Sequence, residues 1–220
     1  MAIPSERPPR PSKEPRADVP WSLERSAAQY QINGWGAPYF TINERAHVSV
    51  SPTGQAHPAI DLFELTESLR ARGLEPPLLI RFADVVGHRI QQINQAFAQA
   101  IAEYGYEGRY RGVYPVKVNQ ERHLVDEVVE FGRPWDFGLE AGSKPELLIA
   151  LSAMSTPGGL IICNGYKDEQ YIETALLAQR LDKTVIVVLE RLEEVDVVVR
   201  AYQKLGIRPQ LGVRAKLTAR

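Results

Sequence analysis

The chain has 220 residues, 44% of them hydrophobic and 24% charged, the profile of a soluble globular protein. Its 26 lysines and arginines against 27 aspartates and glutamates leave a formal charge of −1, which gives no electrostatic case for binding nucleic acid or an anionic membrane. A single cysteine, Cys163, excludes an internal disulfide framework, no apolar run approaches the ~20 residues that span a bilayer, and no secretory signal opens the chain, so a cytoplasmic location is expected.

Residues 1–20 carry Pro4, Pro8, Pro9, Pro11, Pro15 and Pro20 among charged side chains. Such a stretch buries too little apolar surface to offset its ordering entropy, and it reads as a disordered tail. In residues 21–77, Tyr39–Ile42 and His47–Val50 flank the polar Asn43-Glu44-Arg45 and predict a β-hairpin. Asp61 then precedes a helix through Leu62, Leu65 and Leu69, which stops near Gly73 and the Pro76-Pro77 pair.

From 78 to 220, strand and helix alternate. Leu78–Val86 is a strand-like apolar run, and Ile90, Ile93, Phe97, Ala100, Ile101 and Tyr104 then recur at helical spacing until Gly105. Arg109–Val118 reads as extended and Glu121–Phe131 as a helix with Leu124, Val125, Val128 and Val129 on one face. Asp136–Ala141 is extended again. Ser143 then caps a helix with Pro145 in its first turn and Glu146 three residues on, the pattern of a capping box. Leu160–Asn164 and Gln210–Lys216 read as strands, and Thr184–Glu190 as a strand buried on both faces. Asp168–Leu181 and Leu192–Leu205 are helices, the second with Val195, Val198, Val199 and Tyr202 inward.

This alternation implies parallel strands, in either a doubly wound sheet or a (β/α) barrel. About six strands are present against the eight of a closed barrel. The chain is therefore either an open sheet or a piece of a barrel, and the absence of a helix to cover the last strand favours the piece.

Common catalytic spacings are missing. Gly34-Trp35-Gly36 opens a GxGxxG pattern, but Tyr39 stands at the third glycine and no strand precedes it. His47, His57, His88 and His123 are scattered without metal-ligand spacing. Cys163, inside an apolar strand, reads as a small buried hydrophobe rather than a nucleophile. Arg109, Tyr110, Arg111 and Tyr114 interleave basic and aromatic residues as a nucleic-acid surface does, but the neutral net charge opposes that reading.

The segment Tyr114-Pro115-Val116-Lys117-Val118-Asn119-Gln120 stands apart. Strand alternation puts Lys117 on the face of Val113 and Pro115, turned into a barrel or cleft, and Pro115 places it near a strand's end. A lysine shielded there from water is more readily neutral, and a neutral amine attacks a carbonyl. A lysine that snorkels to solvent fits the same spacing.

Tyr114–Asn119 resembles the lysine motif of the alanine-racemase-like, fold-type III pyridoxal-phosphate decarboxylases. Three further blocks, Ile32–Phe40, Gly138–Leu147 and Cys163–Asp168, are similar to the biosynthetic (long-form) arginine decarboxylases, and the resemblance runs over roughly residues 22 to 220. It implies an α/β fold in which residues 78–220 form an incomplete, TIM-like (β/α)8 barrel that binds pyridoxal phosphate. It further implies conversion of L-arginine to agmatine and CO2 at the entry to putrescine and the polyamines, a requirement for magnesium with no residue assigned to it, and a homo-oligomer, dimer or tetramer, at full length. A relative acting on diaminopimelate or ornithine, or an inactive homologue that works by binding, would carry the same motif.

Carried over residue by residue, Lys117 is the lysine that bonds the cofactor. Glu140 falls where the related ornithine decarboxylases place an aspartate near it. Glu146 aligns with a cofactor-side glutamate, although the capping box explains it without a ligand. Arg214 matches an arginine that lines the cofactor site at a strand end. The phosphate loop, the ring-stacking histidine, the pyridinium-binding glutamate and the interface cysteine of that family have no counterpart within these residues. Cys163 is not that cysteine, and the isolated chain is expected to have no turnover.

Overall fold

The structure is a computed structural model that describes residues 20–54 and 59–217, divided between two compact units, Met1–Leu78 and Leu79–Arg220. The expected disordered tail lies, apart from Pro20, outside the described residues. None of the described helices is long and apolar enough to cross a membrane.

In the first unit, helix α1 (Leu23–Gln29) starts at Ser22, whose Oγ accepts from the Arg25 amide at 3.2 Å, and α2 (Ile32–Trp35) is one short turn. Strands β1 (Phe40–Ile42) and β2 (Val48–Val50) form the hairpin that the alternation predicts, with Phe40 opposite Val50. A third strand, β3 (Ile60–Asp61), pairs antiparallel with β2; two residues are too few to show a period. Asp61 ends β3 and caps α3 (Leu62–Ala71). Its Oδ1 accepts from the amides of Phe63 and Glu64 at 2.9 and 3.1 Å, and its Oδ2 bonds Asn43 Nδ2 and His47 Nδ1, both at 2.8 Å. Desolvation acts to raise its pKa, yet these hydrogen bonds outweigh it and hold the carboxyl at about 2. One side chain thus ties the hairpin to the start of the helix.

The second unit begins with helix α4 (Ala83–Tyr104). Then β4 (Val113–Pro115), β5 (Gly138–Ala141), β6 (Leu160–Cys163), β7 (Thr184–Leu189) and β8 (Gln210–Val213) alternate with α5 (Arg122–Gly132), α6 (Lys144–Ala153), α7 (Glu169–Ala178) and α8 (Glu194–Leu205). The strands are parallel and lie side by side in chain order. A doubly wound sheet reverses its strand order at a switch point. This one never reverses, which makes it an arc of barrel wall.

The arc holds five strands, where the sequence suggests about six. Residues 79–82 form neither helix nor strand and pair with nothing in the sheet, and Leu79 is 78% exposed. Val85 and Val86, counted in that apolar run, belong to α4, and Val86 packs against Ile90, Val128 and Phe137. The run was apolar for two separate reasons.

Leu139, Ala141, Ile161, Cys163, Val185 and Val187 point from the sheet into one core with Val125, Leu147, Ile172, Leu176 and Val198 of the helices. The opposite face of β7, with Thr184, Ile186 and Val188, is only half-buried rather than covered as expected, because a five-stranded arc does not close around its inner side. Helix α8 departs similarly. Val198 and Ala201 are buried, but Val195, Val199 and Tyr202, expected inward, stay partly exposed beside Leu211 at the edge of the arc.

Candidate active site

The carboxyl ends of the five strands border an open cleft of about 600 Å³, the end at which β/α barrels carry their sites. Lys117, Glu140, Glu146 and Arg214 all line it.

Lys117 reaches the cleft by another route than alternation. The ladder ends at Pro115, which has no amide hydrogen to give, and Val116–Val118 winds into a 3₁₀ turn. Val116 therefore drops into the core, fully buried, while Lys117 projects outward with 61% of its side chain exposed. The expected shielding of this amine from water is absent, because five strands enclose the cleft on one side only.

Glu140 lies on β5 opposite Pro115 and is 5% exposed. Its Oε1 accepts from Asn164 Nδ2 at 3.0 Å and stands 3.8 Å from Lys117 Nζ. Its Oε2 is buried without a hydrogen-bond partner among the described residues. A buried carboxylate oxygen left unpaired is costly, so this edge of the cleft is suited to a ligand that donates a proton.

Glu146 completes only half of the expected capping box. Ser143 Oγ accepts from the Glu146 amide at 3.4 Å, but the Glu146 carboxylate reaches one residue further back and takes the Gly142 amide at 2.7 Å. Arg214, just beyond β8, donates from Nη1 to Glu190 Oε2 at 3.1 Å. Glu190 Oε1 accepts from the Gly165 amide at 2.7 Å. That amide, with burial opposing it and with the positive charges of Arg214 and Lys167 adding to it, holds the Glu190 carboxyl below its usual range. The Gly142 and Gly165 amides are thus both taken by carboxylates, and neither is free to cradle a phosphate.

Behind the cleft, Tyr171 donates its hydroxyl to Ala141 O at 2.8 Å, with Asn164 O at 3.3 Å as a second partner. It pins the ends of β5 and β6 together. Cys163 is fully buried, and desolvation pushes its thiol up to about 11, so it is a core residue as the sequence suggests.

Residues 90–220 match the family described as the pyridoxal-dependent decarboxylases, over their pyridoxal-binding domain. The chain belongs to that family. It is 62% identical over 200 residues to the biosynthetic arginine decarboxylase of Gloeobacter violaceus, covering 91% of this chain and 31% of the relative. It is 60% identical over 198 residues to the one from Nostoc sp., covering 90% and 29%. The chain therefore spans about a third of the length of these curated relatives. Among solved structures, the biosynthetic arginine decarboxylase from Campylobacter jejuni superposes with a TM-score of 0.76 at 32% identity, over 86% of this chain and 32% of that one. A diaminopimelate decarboxylase from M. jannaschi, at 18% identity and a TM-score of 0.61 over 83% and 37%, shares the fold.

The cleft fits the pyridoxal cofactor of this family. It offers a primary amine on Lys117, a buried acid with an unsatisfied oxygen on Glu140 and a cation on Arg214. Three residues that support these groups escape sequence reasoning: Asn164, Glu190 and Lys167. Glu190 does carry one signal, as an acid directly after a β-branched strand, at the end where barrels place their chemistry.

Proposed function

We propose that this chain is the pyridoxal-binding part of a biosynthetic arginine decarboxylase, an enzyme that releases the carboxylate of L-arginine as CO2 and leaves agmatine. The reading is carried by the Lys117 amine, which stands in the strand-end cleft 3.8 Å from the buried Glu140 carboxylate. The substrate follows from what the long, high-identity relatives are named for.

Lys117 would hold pyridoxal phosphate, with Glu140 and Arg214 at its edges and Glu146 behind Gly142. When bound, the cofactor supplies an electron sink for the bond broken at the substrate's α-carbon. The protein's part is placement. Glu140 keeps the Lys117 amine over the cleft and presents Oε2 as an acceptor. Arg214 sets a positive charge at the rim for an anionic group. Lys117 Nζ is the atom that would deliver the proton replacing the lost carboxylate. Magnesium rests on the resemblance alone and takes no part in this reading: among the described residues no group of three or more His, Cys, Asp or Glu is placed to hold a metal ion.

The test is CO2 release by the full-length protein with pyridoxal phosphate, offered L-arginine, L-ornithine or diaminopimelate. Release with arginine alone, with agmatine as the product, is expected. Preferential release from ornithine or diaminopimelate, or none from any of the three, would overturn the reading.

A further inference from the structure

We propose that Glu190 is a positioning residue that fixes Arg214 in the cleft, with the buried pair Lys167–Glu194 as its mount. The inference rests on the decarboxylase reading and assigns work to residues that this reading leaves unused.

Glu190 follows β7 directly, and its carboxylate spans both neighbouring strand ends. One oxygen holds the Gly165 amide beyond β6 and the other holds Arg214 beyond β8. Its own amide is held by Glu194 Oε2 at 2.8 Å. Glu194 Oε1 pairs with Lys167 Nζ at 3.2 Å, and the same ammonium donates to Gly165 O. The bonds close into a ring: Gly165 N–H to Glu190, Glu190 N–H to Glu194, Glu194 to Lys167, and Lys167 back to Gly165 O. Gly165 is gripped through its amide by Glu190 and through its carbonyl by Lys167.

The ring also reaches the next loop. Gly165 has φ +72°, and a Cβ there would sit 2.1 Å from Gly142 O, so it lies directly against the residue whose amide holds Glu146. Three loop ends and one cation of the cleft thus share a single frame.

The side chains of Lys167 and Glu194 are 0% and 4% exposed. A buried ion pair contributes little stability over apolar residues of the same volume, so the attraction between the two charges does not by itself account for it. Geometry does, because the pair fixes where Glu190 stands. Arg214 is the group that gains. At 65% side-chain exposure, a long side chain just past an edge strand samples many rotamers unless something holds it, and the Glu190 carboxylate holds it over the cleft.

The experiment is a double-mutant cycle on the full-length protein. Cofactor affinity is read by titrating the apoprotein with pyridoxal phosphate and following visible absorbance, and the fold is followed by circular dichroism. Glu190→Gln keeps an oxygen for the Gly165 amide and removes the charge that holds Arg214. It is expected to keep the fold and weaken cofactor binding about tenfold, the size of one charge-assisted hydrogen bond. Arg214→Ala is expected to weaken binding at least as much, and the double variant no further than Arg214→Ala alone, since Glu190 acts through Arg214. Wild-type affinity in Glu190→Gln, loss of its fold, or effects that multiply in the double variant would overturn the inference while leaving the decarboxylase reading intact. A wild-type protein that takes up no cofactor would instead overturn that reading, and the inference with it.

Discussion

Lys117 Nζ stands 3.8 Å from Glu140 Oε1, an amine open to solvent above an acid that is almost wholly buried. The two belong to neighbouring strand ends, Lys117 just past β4 and Glu140 on β5. The separation is that of a loose ion pair rather than a hydrogen bond. The acid keeps the amine over the cleft without engaging its donors, so Nζ can turn to a ligand.

Lys117→Ala in the full-length protein is expected to abolish the visible absorbance of bound cofactor and all turnover. It should leave folding stability within about 0.5 kcal/mol, as for an exposed residue outside the core. Spectrophotometry and urea unfolding on the same preparation check both halves. Persistence of the absorbance band would refute the assignment.

Glu140→Gln should separate stability from binding. The variant keeps an acceptor for Asn164 and removes a buried charge whose second oxygen has no partner. The apoprotein is expected to be as stable as wild type or more so, by up to about 1 kcal/mol, while cofactor affinity falls. A urea midpoint clearly below wild type would show that the carboxylate stabilises the empty fold.

Lys167→Met leaves Glu194 buried without its counter-ion, and a loss of about 3–5 kcal/mol is expected. Replacing both members, as Lys167→Met with Glu194→Leu, should give a more stable protein than the single change. It will not restore wild-type stability, because Gly165 O and the Glu190 amide lose their partners. Chemical denaturation of the three proteins ranks them.

Asp61 makes a pH-dependent contribution to the first unit. Its carboxyl is held at about 2 against an ordinary 3.8. A lowered value means stability that is fully present above the ordinary carboxylate range and is lost as pH falls toward the folded value. Asp61→Ala should therefore lower the melting temperature near neutrality, and the gap to wild type should narrow as pH falls from roughly 5 to roughly 2. A gap that stays constant over that range would contradict the assigned hydrogen bonds.

Local signals carried much of the fold. The hairpin at β1 and β2 showed in alternation, Asp61 and Ser143 announced their helices as caps, and the alternation of strand and helix announced the parallel sheet. Where the reading failed, a local period stopped being obeyed. Pro115 ended the ladder and let Val116–Val118 wind up, so counting by twos turned Lys117 to the cleft along a strand that the chain had already left. Residues 79–82, read as part of a strand, belong to neither a strand nor a helix.

At the site, the motif residues were legible one at a time, but their supports were not. Glu190 meets Gly165 across 25 residues of sequence, and Lys167 meets Glu194 across 27. No periodicity spans such gaps. Only the parallel stacking of β6 on β7 brings those side chains together.

Cys163 has a practical use in solution. It is the only thiol in these 220 residues, sealed in the sheet and with its reactive thiolate form suppressed. Alkylating reagents should spare the native protein and mark it only when β6 comes away from its neighbours, so the labelling rate becomes a clock for the breathing of the barrel wall.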